Sequence, residues 1–139
     1  VMRAPIEQAM IPLDVTDITQ LDKETFDRVT AGDGPVQKLF ADSWMAETFA
    51  KDPKAGASVF DTLALAYAID PSYATKVDDL YMDVDIAFGP GYGRTLGYWQ
   101  KQPTPLLQKM KVVKEFDKKR FFDLYVDLMQ RPVPIKFDK

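Results

Sequence analysis

A chain of 139 residues has the length of one domain, able to bury about two-thirds of the surface its unfolded form exposes. Hydrophobic residues make up 46% and charged residues 28%, and a formal net charge of −3 is spread over both signs, which excludes the clustered basic face of a nucleic-acid or anionic-membrane binder. Having neither cysteine nor histidine, this chain offers no disulfide, zinc–thiolate site, thiol nucleophile or imidazole acid–base group.

In chain order, "VMRAPIEQAM" lacks the basic-then-apolar pattern of a secretory leader, and its first residue is Val rather than Met, as in the continuation of a longer sequence. The apolar run "AMIPLDV" predicts a buried strand leaving a sheet. "TDITQLDKETFDRVT" predicts a helix with Thr19 or Asp22 as its cap and Leu21, Phe26 and Val29 as its apolar stripe. "AGDGP" breaks it. "VQKLFADSWMAETFAK" predicts one amphipathic helix with Leu39, Phe40, Trp44 and Phe49 on an aromatic face, and "DPKAGA" a loop. "SVFDTLALAYAIDP" predicts a third helix, stopped at Asp70 because Pro71 disfavours helical geometry in the residue before it.

The period then changes. "KVDDLYMDVDIAFG" alternates, with Tyr81, Asp83 and Asp85 on one face and Met82, Val84 and Ile86 on the other, as a half-exposed strand does. "GPGYG" is a turn and "RTLGYWQ" the returning strand of a hairpin. "KMKVVKEF" predicts another strand, and "DKKRFFDLYVDLMQ" a closing helix ended by "RPVPI". No apolar run approaches a bilayer span, and no repeat or linker divides residues 1–139. Strand, helices, hairpin, strand and helix make an α/β domain rather than a bundle. Only one strand reads as doubly covered, so the remaining strands of its sheet are expected from sequence outside this chain.

The third helix poses the chemical question, because an aromatic ring and a carboxylate, Phe60 and Asp61, stand together at its mouth. Ser58-x-x-Asp61 fits a capping box. Phe60 fits the core, beside Leu63, Ala64 and Tyr67 on one helical face. Other signals have plainer readings. Asp83 and Asp85 share a solvated strand face with Asp78 and Asp79 nearby, Asp14 marks a strand–helix junction with Thr16 as cap, and "GPGYG" lacks the helix and lysine of a phosphate loop.

"MIPLDVT", then "FDTLALAYAIDPSYAT", then "MDVDIAF…GYGRTLGYW" and finally "VVKEFDKKRFFDLYVDLM" resemble, in that order, the C-terminal part of the inosine–uridine-type nucleoside hydrolases. The resemblance implies a Rossmann-like open, mostly parallel sheet with helices on both sides plus a β-hairpin, with ligands at the carboxyl ends of the strands. It implies hydrolysis of the N-glycosidic bond of ribonucleosides, using a water held by calcium. The N-terminal portion that supplies the Asp-rich calcium motif is absent here, so this chain alone is expected to be inactive and to act with that portion, as a second chain or a cleaved segment. Homo-oligomers are expected too.

Residue by residue, Asp61 aligns with the family's C-terminal calcium ligand, a role that suits a carboxylate at a helix N-terminus. Phe60 stands where many members carry an acid histidine; a phenyl ring donates no proton, but the purine-specific branch places an aromatic ring there to stack on the leaving base. Purine nucleosides are therefore the expected substrates. Trp44 falls in a region that walls the base pocket and is a second candidate stacking ring. Two rivals stay open: a non-catalytic nucleoside- or ribose-binding protein of the same fold, and a hydrolase of another riboside such as a nicotinamide nucleoside.

Overall fold

Pro12 stops the first strand almost as soon as it forms. A computed structural model describes residues 2–132, and in it β1 spans only Ala9–Met10, after which Pro12 is the N-cap of a one-turn helix, α1 (Leu13–Thr16). The strand predicted over "AMIPLDV" is thus shortened, because proline donates no ladder hydrogen bond and suits a helix start.

Three helices of the next layer follow. Asp22, one of the two predicted caps, accepts a hydrogen bond from the Thr25 N–H (2.9 Å) and begins α2 (Lys23–Thr30). The single helix predicted over residues 36–51 is instead two, α3 (Pro35–Ala41) and α4 (Trp44–Lys51). Asp42 ends the first and extended Ser43 begins the second, its N–H donating to the Phe40 carbonyl (3.1 Å). The Ser43 Oγ is buried without a hydrogen-bond partner among the described residues, so the break rests on the backbone turn rather than on a side-chain cap, and apolar spacing does not register it.

The break also re-aims the aromatic face. Phe40 and Phe49 turn inward, where Phe26 lies 5.9 Å from Phe40 and 5.3 Å from Phe49, ring centre to ring centre. Leu39 and Trp44 are left exposed.

Helix α5 (Phe60–Ile69) ends where predicted. Asp70 caps a short 3₁₀ turn, Pro71–Tyr73, accepting from the Ser72 N–H (2.9 Å). Strand β2 (Ala74–Val84) pairs antiparallel with β3 (Thr95–Tyr98) across the hairpin, and antiparallel with β4 (Lys109–Phe116) on its other side. Strand β4 pairs in parallel with β1, giving the order β1-β4-β2-β3. Asp117 caps α6 (Lys118–Gln130), accepting from the Arg120 N–H (3.0 Å). Of the closing "RPVPI", residues 133–135 lie outside the described residues.

Period-two alternation divides the sheet faces. Val113 of β4 packs with Val15 of α1 and Tyr67 of α5. On the opposite face Leu80, Met82, Met110 and Val112 cluster, with Met2 and Met10 packed against them. The main core lies among the helices, where Leu21, Phe26, Phe49, Ala57, Val59, Leu63, Ala66, Tyr73, Phe121 and Phe122 are buried together. The open α/β sheet with a hairpin is the architecture that the sequence predicts.

Candidate functional site at the mouth of α5

The chain enters α5 from a bridge between Leu21 and Ala57, whose N–H groups and carbonyls exchange 2.9 Å hydrogen bonds. Both residues are fully buried, so the approach to the helix is fixed by the core. Val59 is the N-cap, and no side chain caps the helix. Helical geometry therefore begins one residue later than a Ser58-x-x-Asp61 box requires, and that box does not form. The Thr62 hydroxyl instead donates to the Val59 carbonyl (2.7 Å), placing Asp61 inside the first turn.

The carboxylate of Asp61 is exposed, and among the described residues no side-chain hydrogen bond or ion pair engages it. The unpaired N–H groups of the first turn create a positive end that favours an anionic side chain there. Phe60 is 44% exposed and stays out of the main core cluster, which corrects the core-packing reading for this ring. Its proposed companions divide: Leu63 and Tyr67 are buried and Ala64 is exposed. Trp44, at the first helical position of α4, is 58% exposed.

What the sequence reading missed is the outer face of α5. Phe60, Asp61, Ala64, Leu65, Ala68 and Ile69 are all exposed, at spacings of one, three and four that make one continuous stripe. Apart from Asp61 the stripe is apolar. The signal was present, since "FDTLALAYAI" has no polar side, and a helix apolar all round is one that ends up covered on every side.

The acidic residues of the hairpin do not gather into a site. Asp83 pairs with Arg3 through two hydrogen bonds (2.7 and 3.3 Å), and this partner holds its carboxyl below the usual range. The Asp85 carboxylate accepts from the Ala87 N–H (3.0 Å). Among the described residues, no three acidic side chains come together to hold a metal. A groove of about 810 Å³ runs between the α2–α3 turn and the end of α6, but neither Trp44, Phe60 nor Asp61 lines it. No helix among the described residues is long and apolar enough to cross a membrane.

The open mixed sheet flanked by helices, in the order β1-β4-β2-β3, defines an α/β domain. The chain belongs to the inosine–uridine preferring nucleoside hydrolase family, whose sequence profile matches residues 1–123. A pyrimidine-specific ribonucleoside hydrolase, RihB from Escherichia coli, is 30% identical over 99 residues, covering 69% of this chain and 31% of that protein. The solved structure of a purine-preferring ribonucleoside hydrolase from Gardnerella vaginalis is 28% identical, with a TM-score of 0.69 over 92% of this chain and 41% of that one. An inosine–guanosine nucleoside hydrolase superimposes with a TM-score of 0.76 at 15% identity, again over 92% of this chain and 40% of that chain. This chain therefore spans about two-fifths of the length of these solved relatives.

Proposed function

We propose that this chain is the C-terminal portion of a ribonucleoside hydrolase that splits the N-glycosidic bond to give ribose and free base. The observation that carries the reading is the bare mouth of α5, where an unpaired carboxylate, Asp61, adjoins an exposed ring, Phe60. Membership of the family supports it.

Calcium takes six to eight oxygen ligands, so Asp61 cannot hold the ion alone. It fits the part of one ligand, with the rest coming from the portion of the fold outside this chain. When bound, calcium supplies an anchor for the ribose and activates water. This chain's own share is a pre-oriented anion at a helix N-terminus and an apolar wall for the base.

Phe60 favours purines. A phenyl face stacks on a flat base and stabilises it as it gains positive character, and a bicyclic base offers the larger face. No proton passes through this residue. Trp44 is a candidate second wall. The exposed apolar stripe along α5 is where the remainder of the fold would pack, which makes this chain inactive without it.

The test is release of free base by the full-length protein from inosine and from uridine, with calcium and after chelation. Asp61→Asn is expected to lower release at least a hundredfold, on the order of 3 kcal/mol in the barrier, with unchanged folding. Phe60→Leu is expected to lower inosine turnover more than uridine turnover. The rival reading, a non-catalytic riboside-binding protein that lacks any acid at position 60, requires binding without base release, and that result would overturn the hydrolase.

A further inference from the structure

The start of α5 runs against the local preference of its own sequence. Val59 is the N-cap, with φ −130° and ψ 45°, and has no side-chain oxygen to cap with. Serine, the residue at position 58, is among the best helix caps, and valine is among the worst. A start at Ser58 would also make Asp61 the third helical residue, whose carboxylate reaches back to the cap N–H in a capping box. The carboxylate would then be tied up within the helix. Something at this mouth tips the choice toward the start that leaves Asp61 free.

Two features meet at the junction. Val59 and Leu63 are buried in the main core cluster, which fixes where their side chains sit but not where the backbone begins to coil. The second feature acts on the backbone itself. The Thr62 hydroxyl donates to the Val59 carbonyl at 2.7 Å. The Leu63 N–H, the regular helical donor to that carbonyl, lies at 3.3 Å, just beyond the usual span for an N–H to oxygen bond.

The hydroxyl is therefore the nearer partner, and a side chain that competes for a carbonyl in this way loosens the helical ladder there. A start at Ser58 would instead make Val59 the first helical residue and draw its carbonyl into line with the Leu63 N–H. Among the described residues, Thr62 is the one side chain that hydrogen-bonds to the backbone of residues 58–61.

We infer that Thr62 is a positioning residue: its hydroxyl holds the start of α5 at Val59, which keeps the Asp61 carboxylate out of a box with Ser58 and free for calcium. This rests on the reading of Asp61 as one calcium ligand. Two helix starts one residue apart compete, and one of them withholds the ligand. An ion that binds one of two states loses apparent affinity in proportion to the population of the other. Ser58 takes the opposing part, since it stabilises the start that withholds Asp61.

Backbone chemical shifts of Val59, read by NMR, and calcium titration of the full-length protein test this together. Thr62→Val keeps the branched shape and removes the donor. Val59 is then expected to take helical shifts, and calcium binding to weaken about fivefold, the usual size of one neutral hydrogen bond. Thr62→Ser restores the donor and is expected to keep the unaltered shifts and affinity. Adding Ser58→Ala to Thr62→Val removes the competing cap and is expected to return both. Non-helical Val59 shifts in Thr62→Val overturn the inference, because the core alone would then set the start. So does an unaltered protein that binds calcium no better than Thr62→Val. Should the unaltered protein bind no calcium at all, the ligand reading of Asp61 fails, and the Val59 shifts alone decide whether Thr62 sets the start.

Discussion

The layer of α2, α3, α4 and α6 is closed apart from single exposed side chains such as Leu39, Trp44 and Leu128, whereas α5 is open along one whole side. In the closed layer, aromatic rings from four elements lock together: Phe26 meets Phe40 and Phe49, Phe40 meets Tyr125, and Phe121 meets Phe122 at 4.9 Å. The polar sides of these helices are tied by ion pairs such as Arg28 with Asp123 (2.9 Å). Helix α5 buries Leu63, Ala66 and Tyr67 in the same way, yet presents Leu65 and Ile69 to the outside. A closed helix has one apolar stripe and one polar stripe. An open one has two apolar stripes, the second of which the proposed remainder of the fold would cover.

Two leucines two residues apart measure that difference. Leu63→Ala removes a fully buried side chain and is expected to cost about 3 kcal/mol, within the span seen for buried leucine truncations. Leu65→Ala is expected to cost about 2 kcal/mol or more in the full-length protein, because the proposed remainder of the fold packs there. Were the outer face of α5 truly solvent-facing, its cost would stay within about 0.5 kcal/mol. Chemical denaturation of both variants distinguishes the two cases, and a near-zero value at Leu65 would remove the packing argument for a covered α5.

A smaller effect is expected in the closed layer. Asp22 is the one side chain that caps α2, through the Thr25 N–H; burial pushes its carboxyl up, but hydrogen bonds from Thr25 together with the nearby Lys118 charge hold it below the usual range. Asp22→Ala is expected to cost about 1 kcal/mol, and Asp22→Ser considerably less. Equal losses in the two variants would mean that the charge rather than the cap matters.

Legibility followed the same divide. β4 at Lys109–Phe116 and α6 at Lys118–Gln130 stand close to where "KMKVVKEF" and "DKKRFFDLYVDLMQ" predict them, because each is packed within this chain. The α3–α4 break escaped detection because the backbone turns extended at Ser43 while the apolar spacing runs on across it. Phe60 escaped for the opposite reason: in a stretch apolar all round, period alone cannot say which face points in. The family was legible from ordered segments spread over the chain, but the state of the helix mouth was not. Whether Asp61 caps its helix turned on a one-residue shift in where helical geometry begins, and a shift of that size lies within the ordinary uncertainty of helix ends.

The smallest expected effect concerns acid. Three surface carboxylates share a pattern with partners distant in sequence. Asp70 is held below the usual range by hydrogen bonds from Ser72 and then by Arg120, whose guanidinium also lies 4.1 Å from the centre of the Tyr73 ring. Asp83 is lowered by Arg3, and Asp123 by Lys119 and Arg28. A carboxyl whose folded pKa is depressed adds stability that is fully present above its unfolded value, near 3.9, and is lost as pH falls through the folded value. With no histidine in the chain, its own side chains add little slope between about pH 5 and 8. Stability is therefore expected to be flat there and to decline below about pH 4. Arg120→Gln removes one of the partners that lower Asp70, and is expected to make the acid decline shallower while changing little at neutral pH, since exposed pairs contribute little to stability. Added salt should shrink the same difference by screening. Urea midpoints taken from neutral to acid pH for both proteins measure it, and identical acid slopes would mean that Arg120 does not shift the titration of Asp70.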